Sequence, residues 1–87
     1  MPDSVVELLR ELVAIPSVNP MGRDLTGPEF FEGRMSDYLV RFFDELNVPY
    51  ERIEVVPGRD NVIARFDSPG ADVTLLLDAH QDTVPVD

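Results

Sequence analysis

Three ionisable residues, Asp78, His80 and Asp82, follow one another at a spacing of two near the end of the 87-residue sequence. The apolar run at residues 73–77 directly precedes them and has the composition of a β-strand that is buried on both faces. Because residues i and i+2 of a strand point to the same face, we expect the three side chains to lie together at the carboxyl end of this strand. Ligand sites in α/β folds commonly lie at such strand ends.

His80 is the single histidine of the sequence, and its spacing from Asp82 suits a metal ligand with a carboxylate partner. Asp82 can reach one imidazole nitrogen while the other faces a metal ion, which fixes the tautomer and makes the ligand more basic. Gln81 would then point to the opposite face of the strand. Asp78 is either a further ligand or a strand-end residue bonded to nearby backbone amides, and the second interpretation is favoured.

The composition excludes several classes of chemistry. Cysteine is absent, which removes disulfides, thiolate ligands and thiol nucleophiles and favours a cytoplasmic setting. Lysine is absent too, so no P-loop lysine or Schiff base can form. The net charge of −10 repels phosphate backbones, and no apolar run is long enough to cross a bilayer; neither nucleic acid nor a membrane is an expected partner.

Serine chemistry has no support, and a zinc site cannot be completed from this sequence. No serine lies in a G-x-S-x-G motif, and nothing supports a triad of Ser17, His80 and an aspartate. Zinc needs three or four protein ligands. The sequence offers one histidine and no cysteine, and with Asp82 as the partner of His80, only Asp78 is near enough to be a further ligand. A closed metal site is therefore not expected within the 87 residues alone.

A first amphipathic helix is predicted near the start of the chain. Ser4 and Glu7 form a capping box, and the helix should end before Pro16 because a residue that precedes proline avoids the α region. The segment at residues 15–27, which contains two prolines and two glycines, is long and irregular. Such a segment is either a binding loop or a packed connection, and the sequence leaves both open.

A second helix is predicted from the Thr26–Glu29 capping box to Asn47. Aromatic and aliphatic residues recur along it at helical spacing and form a broad apolar stripe. A stripe of this kind can in principle hold a flat cofactor, but it is far more often part of the core.

Three strands are predicted after the helices, at residues 50–56, 61–66 and 73–79, with turns between them. The predicted fold class is therefore α/β, with the element order α-α-β-β-β. Three strands cannot bury the apolar run at residues 73–77 on both sides, because both faces of such a strand need covering layers. We therefore expect residues 1–87 to be a fragment of a larger folding unit.

The segment LLLDAHQDTVP at residues 75–85 resembles the first metal motif of the zinc-dependent aminoacylase/carboxypeptidase family. That family includes acetylornithine deacetylase, succinyl-diaminopimelate desuccinylase, aminoacylase-1 and glutamate carboxypeptidase. Residues 12–18, LVAIPSV, are similar to the family's first helix and its exit, and residues 61–64, NVIA, resemble the strand before the motif strand. The resemblance spans nearly the whole chain in the same order, with Ala79 at a position where glycine is commoner.

The resemblance implies that His80 is a zinc ligand and that Asp82 contributes to catalysis by orienting it. Family members use two zinc ions, for which cobalt can substitute, to activate a water against an amide carbonyl. The resemblance further implies that residues 1–87 are the N-terminal portion of a mixed-sheet catalytic domain. The remaining ligands, the general base and a lid domain that often forms a homodimer interface would lie downstream.

The expected function is hydrolysis of an amide bond in an N-acyl amino acid or a peptide-like substrate. Within the family, the HQDTVP form is closest to acetylornithine deacetylase, and the fragment alone should be inactive. Two alternatives stay open. One is a non-catalytic module that keeps the fold for binding or assembly, and the other is an independent acidic interaction domain in which the ionisable residues are merely solvated.

Overall fold

The computed structural model describes residues 2–85. Outside the described residues lie Met1, Val86 and Asp87, which are the two ends of the predicted catalytic-domain portion 1–87. The described residues form two helices, a two-stranded antiparallel sheet and long irregular connections, an arrangement compatible with a piece of an α/β domain. Within residues 2–85, neither helix combines the length and the apolar character needed to cross a lipid bilayer. The elements in chain order are α1 (Val5–Ala14), α2 (Gly33–Glu45), β1 (Tyr50–Val56) and β2 (Arg59–Ala64).

Helix α1 begins and ends where the sequence predicts. The Ser4 side chain accepts a hydrogen bond of 3.2 Å from the backbone N–H of Glu7, which satisfies one of the free amides of the first turn. Ile15, immediately before Pro16, has extended backbone angles and ends the helix. The apolar stripe of α1 is largely uncovered among the described residues, and Val5 is 81% exposed.

Helix α2 begins at Gly33, later than the capping box at Thr26 predicts. The prediction is wrong because long-range backbone pairing uses the amides that a helix would need. The Val18 N–H donates to the Glu29 carbonyl and the Phe31 N–H donates to the Val18 carbonyl, both at 2.8 Å. Phe31 also has a positive φ of 67°, which a right-handed helix cannot contain.

The C-terminal end of α2 agrees with the predicted stop at Asn47. Asn47 has a φ of 56°, and its N–H donates to the Asp44 carbonyl at 3.1 Å. The N–H of Val48 donates to the Phe43 carbonyl at 3.0 Å. These two bonds form a Schellman motif, with asparagine in the left-handed position that it tolerates better than most residues.

Strands β1 and β2 form a hairpin joined by a tight turn at Pro57 and Gly58. Gly58 has a φ of 79°, which glycine adopts at no steric cost. The turn is shorter than the predicted turn at residues 57–60, so β2 occupies Arg59–Ala64 rather than residues 61–66. Helix α2 packs against both strands of the hairpin.

The third predicted strand, at residues 73–79, is not formed in the described part of the chain, so the order α-α-β-β-β is wrong in its last element. A strand requires backbone hydrogen bonds from a neighbour, and the sheet of residues 2–85 contains only β1 and β2. Without a neighbour or a covering layer the apolar run stays exposed, with Leu75 at 82% and Leu77 at 85%.

A pair of matched substitutions tests the two capping predictions. Ser4→Ala should lower the free energy of unfolding by about 1 kcal/mol because it removes the side-chain acceptor of α1. Thr26→Ala should change it by less than about 0.5 kcal/mol because Thr26 is exposed and precedes α2 by a full turn or more. Urea unfolding followed by circular dichroism measures both values. A loss at Thr26 as large as that at Ser4 would contradict the observed start of α2.

Candidate metal site

The segment at residues 17–19 holds the His80 region in place through its backbone. The N–H of Thr83 donates to the Ser17 carbonyl at 2.9 Å, and the N–H of Asn19 donates to the Thr83 carbonyl at 2.8 Å. Val18 lies between them and forms parallel bridges with both Phe30 and Thr83. Residues 17–19 are therefore a packed connection, one of the two possibilities that the sequence leaves open for the loop after α1.

Gln81 attaches the same region to α2 and β2. Its side-chain oxygen accepts a hydrogen bond of 2.9 Å from the Ser36 hydroxyl, and its side-chain nitrogen donates to the Asp60 carbonyl at 3.0 Å. Ser36 is completely buried, so the Gln81 amide satisfies a hydroxyl that water cannot reach. The sequence predicts only that Gln81 points away from its neighbours, and the alternation of contacts at residues 80, 81 and 82 agrees with that.

His80 and Asp82 contact each other as their spacing predicts. The His80 Nδ1 atom lies 2.9 Å from the Asp82 backbone oxygen and 3.0 Å from the Asp82 Oδ1 atom. Both neighbours are acceptors, so in the neutral imidazole Nδ1 carries the proton and Nε2 has the lone pair. The His80 side chain is 85% exposed, which leaves Nε2 accessible. The roles of His80 as a ligand and of Asp82 in catalysis stay predictions.

The second carboxylate oxygen of Asp82 accepts a hydrogen bond from Asn19. Asn19 Nδ2 donates to Asp82 Oδ2 at 2.8 Å. This hydrogen bond is the main cause that lowers the pKa of the Asp82 carboxyl below its usual value, and contacts with its own backbone and with His80 act in the same direction. Partial burial opposes the shift without cancelling it. Asp82 is therefore ionised at neutral pH, as an acceptor for the Nδ1 proton should be.

An open cleft of about 410 Å³ lies beside His80, and Asp78 and Asp82 contribute to its wall. The structure thus brings all three residues of the predicted cluster to one cleft. Among residues 2–85, Asp78 makes no side-chain hydrogen bond that would identify it as a structural residue, and its role stays open. The other acidic members of the lining are Glu32 and Asp60.

A partly buried ion pair between Arg59 and Glu32 also lines this cleft. Arg59 Nε donates to Glu32 Oε2 at 2.9 Å and Nη2 donates to Oε1 at 2.5 Å, a bidentate arrangement. The guanidinium carbon lies 5.1 Å from the centre of the Phe31 ring, within cation–π range. The hydrogen bonds that Arg59 donates to Glu32 raise the pKa of Arg59 further above its usual value, so this charge persists.

The described residues do not hold a complete metal site. Among residues 2–85, no three histidine, cysteine, aspartate or glutamate side chains are grouped so that they could bind an ion. The donor chemistry of His80 nevertheless suits zinc, because a carboxylate bonded to Nδ1 leaves Nε2 as the ligand atom. A serine triad does not form here, since the buried Ser17 hydroxyl has no hydrogen-bond partner among the described residues.

Comparison with known proteins finds similarity to proteins named acetylornithine deacetylase. The chain is 34% identical over 86 residues to an acetylornithine deacetylase of Vibrio campbellii, and 29% identical over 86 residues to an acetylornithine deacetylase of Vibrio atlanticus. Each match covers 97% of this chain but 21% of the relative, so the chain spans about a fifth of the length of these proteins. No protein-family model matches the chain, and no solved structure matches it.

The contribution of Gln81 can be tested with a double-mutant cycle. Gln81→Ala should lower the free energy of unfolding by about 1–3 kcal/mol because it leaves the buried Ser36 hydroxyl and the Asp60 carbonyl without a partner. Ser36→Ala in the Gln81→Ala background should cost much less than Ser36→Ala alone, since the hydroxyl is then already unsatisfied. Strictly additive losses in urea unfolding would show that the two side chains do not interact.

Proposed function

We propose that this chain is the N-terminal portion of the catalytic domain of a metal-dependent amide hydrolase of the acetylornithine deacetylase type. The substrate would be an N-acyl amino acid, with N-acetylornithine as the leading candidate, and water would cleave it into a carboxylic acid and an amine. The observation that carries the proposal is the geometry of His80, whose Nδ1 is bonded to Asp82 while Nε2 is accessible. The similarity to two acetylornithine deacetylases over 97% of the chain supports the same function.

In this proposal His80 binds zinc through Nε2. Asp82 holds the imidazole in the required tautomer and stabilises the partial positive charge that the ring acquires as a ligand. The chemistry that zinc supplies when bound is activation of a water molecule and polarisation of the amide carbonyl. Parts of a longer protein would supply the further ligands, including those of a second zinc ion, and the general base.

The acidic cleft fits a cationic ligand better than an anionic one. Its lining contains carboxylates from Glu32, Asp60, Asp78 and Asp82, and the cation Arg59 is already neutralised by Glu32. Carboxylates near a site raise the local concentration of cations. This charge distribution supports a metal ion at His80 and leaves Asp78 as a candidate second contact.

Replacement of His80 tests the proposal directly. In the intact protein that contains this chain, His80→Ala should remove one zinc ion per subunit and reduce turnover of N-acetylornithine to background, because the ligand atom is lost. Zinc content is measured by inductively coupled plasma mass spectrometry on protein purified alongside the control Arg10→Ala, an exposed substitution on α1.

Full zinc content and unchanged turnover in His80→Ala would contradict the proposal. If the unmodified protein neither binds zinc nor hydrolyses any N-acyl amino acid, the non-catalytic binding module becomes the better interpretation.

Asp82→Asn tests the role of the carboxylate. The amide oxygen can still accept from Nδ1, but it carries no charge, so zinc affinity should fall by roughly 10–100-fold while the fold is kept. Competition with a chromophoric chelator measures the affinity. Asp72→Asn is the matched control, since it makes the same change of charge at an exposed turn. Equal zinc affinity in the two variants would rule out an orienting role for Asp82.

A further inference from the structure

We propose that Asn19 is a positioning residue, which holds the Asp82 carboxylate so that His80 presents Nε2 to a metal ion. The inference rests on the function proposed above for His80, and it assigns a role to the loop after α1 that the metal chemistry alone does not require. Asn19 and Asp82 are 63 positions apart in the sequence, yet their side chains are joined by a hydrogen bond of 2.8 Å.

Both ends of the Asn19 side chain are held. Nδ2 donates to Asp82 Oδ2 at 2.8 Å, and Oδ1 accepts from the Met21 N–H at 2.9 Å. The opposite orientation of the amide would place the oxygen against a carboxylate and the nitrogen against an N–H, so the donor must face Asp82. The Asn19 backbone is fixed as well, through its bond to the Thr83 carbonyl at 2.8 Å.

This fixed donor determines which way the Asp82 carboxylate faces. The terminal torsion of an aspartate is broad, so an unrestrained carboxylate samples many orientations. With Oδ2 bonded to Asn19, Oδ1 is directed at His80 Nδ1, which lies 3.0 Å away. His80 itself is 85% exposed, and apart from Asp82 no described residue makes a hydrogen bond to its ring.

The loop does not depend on this side-chain contact for its position. Four backbone hydrogen bonds join residues 17–19 to residues 29–31 and to Thr83, and none of them involves the Asn19 side chain. A variant that loses only the Nδ2 donor should therefore keep the loop in place. Its effect should appear in the imidazole of His80 rather than in the stability of the fold.

Asn19→Asp removes the donor and adds a negative charge beside Asp82. It keeps the oxygen that accepts from the Met21 N–H, and it replaces the donor to Asp82 with a second carboxylate oxygen. Met21→Gly is the matched control at the same turn, because Met21 has a φ of 57° that glycine adopts more easily, and the Asn19 donor is untouched. Asn19→Ala removes the donor without adding charge, and it also removes the oxygen that accepts from the Met21 N–H.

The experiment is ¹H–¹⁵N correlation spectroscopy of imidazole rings in the intact, zinc-free protein, with the His80 signals assigned by their loss in His80→Gln. The unmodified protein and Met21→Gly should show one tautomer with the proton on Nδ1. Asn19→Asp and Asn19→Ala should show a mixture of tautomers. Titration with zinc alone should then give an affinity roughly 10-fold lower for both Asn19 variants than for Met21→Gly.

Unchanged ¹⁵N shifts of His80 in both Asn19 variants would overturn the positioning role. Failure of both variants to fold, with Met21→Gly folded, would overturn it as well, in favour of a purely structural role. The proposed function fails separately: if His80→Gln binds zinc as tightly as the unmodified protein while Asn19→Asp still changes the tautomer, then Asn19 positions the ring but the ring is not a zinc ligand.

Discussion

The backbone pairing of Val18 is the constraint on which the described structure depends. On one side Val18 exchanges hydrogen bonds with Glu29 and Phe31, and on the other its neighbours bond to Thr83. These contacts join three stretches that are far apart in the sequence: the exit from α1, the approach to α2 and the segment that contains His80. Because the apolar side chains of residues 2–85 are mostly exposed, with Met35 the buried hydrophobic residue, backbone and polar contacts of this kind carry much of the organisation.

A consistent order of donors and acceptors follows from that pairing. Asn19 donates to Asp82, Asp82 accepts from His80 Nδ1, and the accessible Nε2 is left as an acceptor or a ligand. The Asn19 amide has one favourable orientation, because its oxygen already accepts from the Met21 N–H. The Asp82 carboxylate is ionised and can only accept hydrogen bonds. Buried or partly buried polar networks specify a geometry when every member is satisfied. The arrangement therefore favours the imidazole tautomer that the proposed role of His80 as a metal ligand requires.

The sequence predicted features that depend on neighbours along the chain, and it failed where distant segments compete for the same groups. The Ser4 cap, the stop at Asn47 and strand β1 were correct because each follows from local spacing. The capping box at Thr26 was misleading, since pairing with Val18 takes the amides of residues 29–31. The strand at residues 73–79 has suitable residues but no neighbour within residues 2–85.

The candidate site shows the same division between local and distant information. The contact of His80 with Asp82 follows from their spacing of two. The bond of Asn19 to Asp82 could not be predicted in this way, because the only local signal is an asparagine in a loop with two prolines. The bonds of Gln81 to Ser36 and Asp60 also join residues that are distant in sequence, 45 and 21 positions apart, and the only local signal was that Gln81 should face the other way.

The most direct test of zinc binding by His80 is a crystal structure of the zinc-loaded intact protein, with anomalous difference maps recorded on both sides of the zinc absorption edge. We expect a zinc peak about 2.0–2.1 Å from His80 Nε2, with the Asp82 carboxylate still bonded to Nδ1. A zinc ion bonded to Nδ1, or zinc bound only at residues that exclude His80, would contradict this expectation.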